Sequence, residues 1–295
     1  MTQYKCGYVA LIGRPNVGKS TLLNTLIGQK ISITTPKPQT TRSQILGIET
    51  IPGAQIIYID TPGIHEDQVR AMNRYMNRIA TSVIVDADVI VFIVDATRWN
   101  KEDDLVLSKL KNTDKPVILA VNKVDLIKDK SALLPLMDKL KSKFDFKAMI
   151  PLSARKNDNV KNLEKEIIQL LPEAPAVYPE DQVTDKSMKF LAAEIIREKL
   201  IQATSQELPY ATTVEIEQYE ETEAITKISA VIWVERDGQK AIVIGEGGSV
   251  LKKVGTAARR DIEKLIEAKV FLRLWVKVKA EWSDNETALK SLGYE

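Results

Sequence analysis

The chain has one cysteine and one histidine in 295 residues, and no apolar run of the length that crosses a bilayer. Cys6 has no partner for an internal disulfide, so it is expected as a small core residue of the first strand, in a reducing, cytosolic setting. Without ~20 consecutive apolar residues no transmembrane helix is expected. Without a basic segment, apolar core and cleavage site ahead of the first strand, no signal peptide is expected either. An excess of charge of one sign is also missing: 42 Lys and Arg stand against 40 Asp and Glu. That balance excludes a global basic field, so any nucleic-acid surface must be a local patch. Hydrophobic residues at 44% and charged residues at 28% fit a folded chain of one large or two ordinary domains.

What is present is organised around GRPNVGKS. Gly13, Arg14, Pro15, Asn16, Val17, Gly18, Lys19 and Ser20 have the form G-x-x-x-x-G-K-[ST], set between the apolar run at residues 8–12 and a helical pattern opening at Thr21. Polyphosphate needs closely spaced backbone N–H donors, which the two glycines allow, and the following helix adds its positive end. Lys19 is placed to reach terminal phosphates and the Ser20 hydroxyl to ligate Mg²⁺. Residues 28–42, with two prolines, read as a long surface loop. Residues 43–51 and 55–59, joined by Pro52-Gly53, read as a hairpin, which makes the sheet mixed. Its second strand delivers Asp60, Thr61, Pro62 and Gly63: a carboxylate for Mg²⁺ and a backbone N–H for a terminal phosphate.

Helices expected at 69–85, 101–111 and 159–171 alternate with strands at 88–94, 116–121 and 148–152, the pattern of a doubly wound sheet with its ligand at the strands' carboxyl ends. The strand ending at Val121 delivers Asn122, Lys123, Val124 and Asp125. A carboxylate there can accept from both N1–H and the exocyclic amine of guanine, a donor pair that adenine lacks. Asn122 is expected to brace the base and its loop, the Lys123 stem to lie along the base, and backbone N–H groups of Ser153, Ala154 and Arg155 to meet the guanine carbonyl.

GRPNVGKS, a threonine-bearing loop, DTPG, NKVD and SAR, in this order, resemble the translation-factor-related class of GTPases. The resemblance implies hydrolysis of GTP to GDP with Mg²⁺ held by Ser20, Asp60 and Thr41, or else Thr40. Lys19, Thr41, Gly63 and Asn16 are the implied catalytic set. Where many regulatory GTPases orient the attacking water with a glutamine, this chain has Ile64. His65, the only histidine, is read as an exposed bystander. Related GTPases with a hydrophobic residue at this position carry an asparagine where Asn16 stands, and in some it helps to bind K⁺, a candidate second cation here. Slow intrinsic turnover is the expectation.

Residues 172–186, rich in proline and acid, read as a linker between a GTPase domain at 1–171 and a second domain at 187–295. The latter shows a helix at 187–204, two strands at 212–217 and 225–235 separated by an acidic stretch, a helix, the turn Gly245-Glu246-Gly247-Gly248, two further helices, and a last strand at 270–279. A G-x-x-G turn lets a nucleic-acid backbone approach closely, and this element order is that of a type II KH domain. Ile244 is the expected apolar platform, with Lys252, Lys253 and Arg259 along the phosphates. Glu246 stands where many KH domains carry a basic residue.

The expected fold is therefore α/β: a P-loop GTPase domain with a mixed, mostly parallel doubly wound sheet, then a smaller α+β type II KH domain. That combination, with QTTR, DTPGIH, ELPY, VIGEGG and SLGY, resembles the Era family of bacterial GTPases over essentially the whole chain. The resemblance implies a monomeric, cytoplasmic switch in 30S subunit assembly and 16S ribosomal RNA maturation. Its KH domain is implied to bind single-stranded RNA near the 16S 3′ end, with possible partners extending to the inner-membrane surface. Two readings of other classes stay open on the residues alone. One is a membrane-surface signalling GTPase whose second domain binds protein or lipid; the other is an ATP-dependent phosphoryl-transfer enzyme, against which Asn122 and Asp125 speak.

Overall fold

A computed structural model describes residues 4–37, 40–64, 70–204 and 212–294. The chain divides into two compact units: Met1–Ser32, Thr41–Val69 and Asn73–Asp185 form the first, Ile33–Thr40, Arg70–Met72 and Lys186–Glu295 the second. His65 and the Leu208-Pro209-Tyr210 helix stop lie outside the described residues. Among the described residues no helix is long and apolar enough to cross a membrane.

The first unit is built on a six-stranded sheet: β1 (Lys5–Ile12), β2 (Ile45–Ile51), β3 (Ala54–Asp60), β4 (Val89–Asp95), β5 (Val117–Asn122) and β6 (Ala148–Pro151), in the order β2-β3-β1-β4-β5-β6. β2 runs antiparallel to β3 and all other pairings are parallel, so the sheet is mixed, with the hairpin at one edge. Strands buried on both faces read as unbroken apolar runs rather than alternating ones, and β3 and β5 are buried at every position. α1 (Lys19–Ile27), α2 (Ala71–Asp86), α3 (Lys101–Leu110), α4 (Leu133–Lys141) and α5 (Val160–Leu170) connect the strands. α3 opens with a capping box, Asn100 accepting from Asp103 N while the Asp103 carboxylate takes Asn100 N.

Two expectations for this half need revision. The 28–42 loop is not a surface loop throughout: Ile31, Ser32, Ile33, Thr41 and Arg42 are buried. α4 was not expected; Pro135 falls in its first turn, where the missing N–H has no helical partner to lose. The proline-rich stretch is extended but tied down along the first unit. Pro172 O accepts from Cys6 N at 3.2 Å, Val183 O from Ile48 N at 2.9 Å, and the Gln55 side chain holds Val177 and Tyr178.

The second unit is an α+β layer. α6 (Met188–Ala203), α7 (Asp237–Ile244) and α8 (Ser249–Ile266) cover one face of a three-stranded sheet of β7 (Thr212–Glu221), β8 (Thr226–Val234) and β9 (Val270–Val278), and α9 (Glu286–Ser291) follows. β8 pairs antiparallel with β7 and parallel with β9. Where two helices were expected between the G-x-x-G turn and the last strand, there is one of 18 residues. It runs unbroken through Gly255, where a Cβ would come within 3.3 Å of Leu274 on β9; the glycine serves close helix-to-sheet packing rather than a break. Ile33–Thr40 belong to this unit through α6: Glu198 Oε1 accepts from Thr34 N at 3.0 Å, Arg197 donates to Thr40 O, and Lys37 donates to Ile201 O at 2.8 Å.

Candidate functional site

At the carboxyl ends of β1, β3 and β5 the six-stranded sheet brings three sequence motifs together. Gly18 is left-handed, φ +105°, and a Cβ there would lie 2.3 Å from Asn122 Nδ2. Gly13 and Gly63 are sites of close approach: a Cβ would meet Ile93 O at 2.5 Å and Pro15 at 2.7 Å. The phosphate loop is therefore wedged between neighbouring strand ends, and only glycine fits at these contacts.

Lys19 is buried, its ammonium donating to Gly13 O at 3.1 Å and Arg14 O at 3.0 Å. Burial lowers its pKa from the ordinary lysine value to about 8, the Asp60 charge opposing that shift. Arg14 is different: its guanidinium is turned to the buried Asp103 carboxylate at 3.0 Å and to Arg98 O, leaving its backbone alone facing the loop. Asn16 is left-handed, φ +63°.

Around Ser20 a hard-oxygen cluster forms. Ser20 Oγ lies 2.7 Å from Thr41 Oγ1 and donates to Asp60 Oδ2 at 2.7 Å; Ser32 Oγ, which the sequence reading missed, donates to the same oxygen at 2.9 Å. Thr41 is the threonine brought here. Thr40 Oγ1 instead meets Thr35 Oγ1 at 2.6 Å and Lys37 O at 2.7 Å. Asp60 is fully buried, and its Oδ1 has no hydrogen-bond partner. Burial raises its pKa, with Lys19 and the three hydroxyls opposing. One orphaned carboxylate oxygen beside two hydroxyls fits a Mg²⁺ that takes its remaining ligands from phosphate and water. Among the described residues no cluster of three or more His, Cys, Asp or Glu could hold a metal by itself. Thr61 and Pro62 continue the strand end, Thr61 Oγ1 donating to Leu11 O at 3.0 Å. Ile64, 1% exposed, is packed in the apolar core beside the sheet.

Asn122 knits the base side together. Its Nδ2 donates to Val17 O at 2.8 Å, and its Oδ1 accepts from Lys123 N at 2.8 Å and Ala154 N at 3.0 Å. Lys123, left-handed at φ +67°, donates to Asn16 O and to Asp95 Oδ2, each at 2.7 Å. That fixes its stem across the loop mouth and leaves Asp125 exposed on the short turn that follows. Ser153 and Ala154 are buried and Arg155 exposed; Thr25 on α1 fixes Ala154 O at 2.9 Å. Asp95 and Thr25 went unnoticed in the sequence because their partners lie 28 and 129 residues away.

In the second unit Gly245 stands at φ +73°, ψ +169°, a conformation closed to side chains, and a Cβ there would strike Val250 at 2.5 Å. Gly247 and Gly248 are left-handed and Glu246 is exposed. No side chain caps α8, so its first N–H groups face outward beside exposed Lys252 and Lys253. Ile244 is half-buried against the core of this unit. Arg259 pairs with Glu263 at 2.8 Å and stands about 16 Å along the helix from the turn.

Residues 8–123 match the family described as 50S ribosome-binding GTPase, and residues 207–283 the KH domain family. GTPase Era of Haemophilus influenzae is 56% identical over 98% of this chain and 96% of its own length; GTPase Era of Coxiella burnetii is 55% identical over 98% of both. A crystal structure of Era in complex with MgGDPNP and nucleotides 1506–1542 of 16S ribosomal RNA superposes with a TM-score of 0.96 at 40% identity, covering 99% of each chain. A tyrosine-to-alanine variant of Aquifex aeolicus Era bound to GDP and AlF4⁻ gives 0.95 at 40% identity, covering 98% of this chain and 99% of its own.

Proposed function

The chain belongs to the Era family of GTPases, a GTPase domain followed by a KH domain, and we propose that it is a nucleotide-controlled RNA-binding switch in small ribosomal subunit assembly. The observation that carries this is the co-occurrence of the Lys19–Ser20–Asp60 cluster with the exposed G-x-x-G turn, in a chain alike over nearly its whole length to an Era that holds 16S RNA. The domains are 1–171 and 187–295, the segment 172–186 joining them.

In this reading the loop N–H groups from Gly13 to Thr21 cradle the phosphates and Lys19 neutralises their terminal charge. Ser20, Thr41 and Asp60 would hold Mg²⁺, which would supply positive charge against that developing on the phosphates. Gly63 N–H reports the γ-phosphate, and Thr61 with Pro62 sets its height. Asp125 reads N1–H and the exocyclic amine of guanine, Ala154 N–H meets the carbonyl, and Lys123 lies along the ring, with Ser153 and Arg155 closing the pocket. Hydrolysis then rests on positioning and electrostatics, since Ile64 is apolar and buried. Asn16 would help K⁺ supplement that charge, as in related GTPases with a hydrophobic residue where Ile64 stands. Turnover is expected to be several-fold faster in KCl than in NaCl, with Asn16→Ala erasing the difference; equal rates in both salts remove K⁺ from the mechanism.

The G-x-x-G turn and the uncapped start of α8 receive single-stranded RNA of the 16S 3′ region, with Lys252 and Lys253 on its phosphates. Arg259, two turns further along and paired, contributes more weakly. With nucleotide and Mg²⁺ bound, Thr41 would be held at the Ser20–Asp60 cluster, and the adjoining Ile33–Thr40 stretch, which Arg197 and Glu198 hold, would relay that state. RNA affinity is expected to differ at least about tenfold between the GDP form and a non-hydrolysable GTP form, the usual size of such coupling, and Lys252→Glu is expected to weaken both. Equal affinities in the two forms make the domains independent modules. The protein works in the cytoplasm and visits the cytoplasmic face of the inner membrane peripherally; recovery in the soluble fraction alone, at every salt concentration, would remove the membrane from this reading.

A further inference from the structure

The KH-domain sheet has a second face. Ile228, Ala230, Ile232 and Val234 of β8, with Val270 and Val276 of β9, are buried in the core shared with α6, α7 and α8, so the alternating positions point the other way. In register those are Lys227 beside Phe271, Ser229 beside Arg273, Val231 beside Trp275 and Trp233 beside Lys277. Tyr294 covers one end of this face, bonding Thr213 at 2.9 Å, yet Phe271 remains 45% and Trp275 43% exposed. A strand on the solvent side of an ordinary antiparallel or mixed sheet carries polar residues there; this one carries two bare aromatics.

The charges on the face are ordered. β8 and β9 contain no acidic residue, while Glu215, Glu217 and Glu220 all lie on β7. The cations are held over rings: Arg273 Cζ is 5.0 Å from the Phe271 centroid, and Lys277 and Lys279 Nζ are 5.7 and 5.8 Å from that of Trp233. Trp233 is further fixed by Nε1–H donating to Glu215 at 2.8 Å. Half-exposed rings spaced about 13 Å apart along one strand, with Arg273 between them, are what unpaired bases stack on while their phosphates are neutralised. The acidic row on β7 excludes polyanion from the far side and confines it to β8 and β9.

The geometry points to this face as a second RNA-binding surface, taking unpaired nucleotides that extend beyond those in the G-x-x-G groove, with Phe271 and Trp275 stacking bases and Arg273 on the phosphates, while Lys277 pairs with Glu217 at 2.8 Å and marks the border with the acidic strand. It rests on the reading of the KH domain as RNA-binding. The test uses the full chain, a single strand from the 16S 3′ region of about five nucleotides, close to the four that a G-x-x-G groove clamps, and the same strand lengthened by about ten unpaired nucleotides. The double variant Phe271→Ala, Trp275→Ala is expected to bind the short strand as the parent does and the long strand at least about tenfold more weakly, two stacked bases being lost. Ultraviolet cross-links from the long strand are expected on residues 270–279. Lys252→Glu weakens both strands; if it weakens neither, the groove reading fails, and the double variant still judges the sheet face. Parental affinity of the double variant for both strands, with cross-links confined to residues 244–253, overturns the proposal. So does a defect confined to vesicles of one quarter phosphatidylglycerol in phosphatidylcholine, which would make the face a lipid surface.

Discussion

Asp125→Asn is expected to lower GTP affinity by a hundredfold or more while creating affinity for xanthosine triphosphate. Asp125 stands exposed on the short turn after β5, with the Lys123 stem fixed beside it by Asn16 O and Asp95. Only a carboxylate accepts from both guanine donors at once. Hydrogen bonds to a charged group contribute about 1.5–3 kcal/mol each, so two amount to roughly 3–6 kcal/mol, or about two to four decades. An asparagine amide places an N–H against the exocyclic amine, which clashes donor with donor. Xanthine carries a carbonyl there, and the same amide donates to it. Competition of the two triphosphates against a fluorescent guanine nucleotide reads the outcome, and unchanged GTP preference would detach Asp125 from the base.

The second large effect is structural before it is functional. Gly18→Ala places a methyl 2.3 Å from Asn122 Nδ2 at a backbone φ of +105°. Left-handed strain costs roughly 1–2 kcal/mol. The clash cannot be relieved cheaply, because Asn122 is 3% exposed and fixed by Val17 O, Lys123 N and Ala154 N; uncoupling those buried partners costs a further ~2–3 kcal/mol. The first unit is expected to melt about 10 °C lower, and nucleotide binding is lost with the loop's shape. Gly28→Ala is the control: φ is +75° but nothing lies within 4 Å of the added methyl, so strain alone remains, about 1 kcal/mol, and binding persists. Calorimetric melts of both variants with and without GDP compare them, and equal small shifts would show that Gly18 is not wedged.

The elements that sequence reading places well are those whose signal is local. β3, β4 and β5 are contiguous apolar runs, and Pro52-Gly53 marks its own hairpin. The phosphate loop and the G-x-x-G turn declare themselves because glycine is required at fixed offsets. What escapes is set by partners distant in the chain. Nothing near Arg14 announces that Asp103 will claim its side chain, and nothing near Asp60 announces Ser32. Two helices were expected from the element order where the single helix α8 stands; it runs through Gly255, against which Leu274, nineteen residues on, packs closely. Thr40 and Thr41 are adjacent and chemically identical, and only the fold distinguishes them, bringing the Thr41 hydroxyl to Ser20 and the Thr40 hydroxyl to Thr35.

With Lys19 on the phosphates as proposed, nucleotide binding is expected to be a proton-linked event. With its ammonium buried and its pKa lowered to about 8, the group is mostly charged at neutral pH and mostly neutral a unit or so above 8. A triphosphate stabilises the charged form, so in alkaline solution binding draws a proton from the buffer, and affinity falls by up to about tenfold per pH unit once past 8. Binding enthalpies measured at pH 8.5 in buffers of different ionisation heat then diverge more than at pH 7.5, both above the range in which a terminal phosphate titrates.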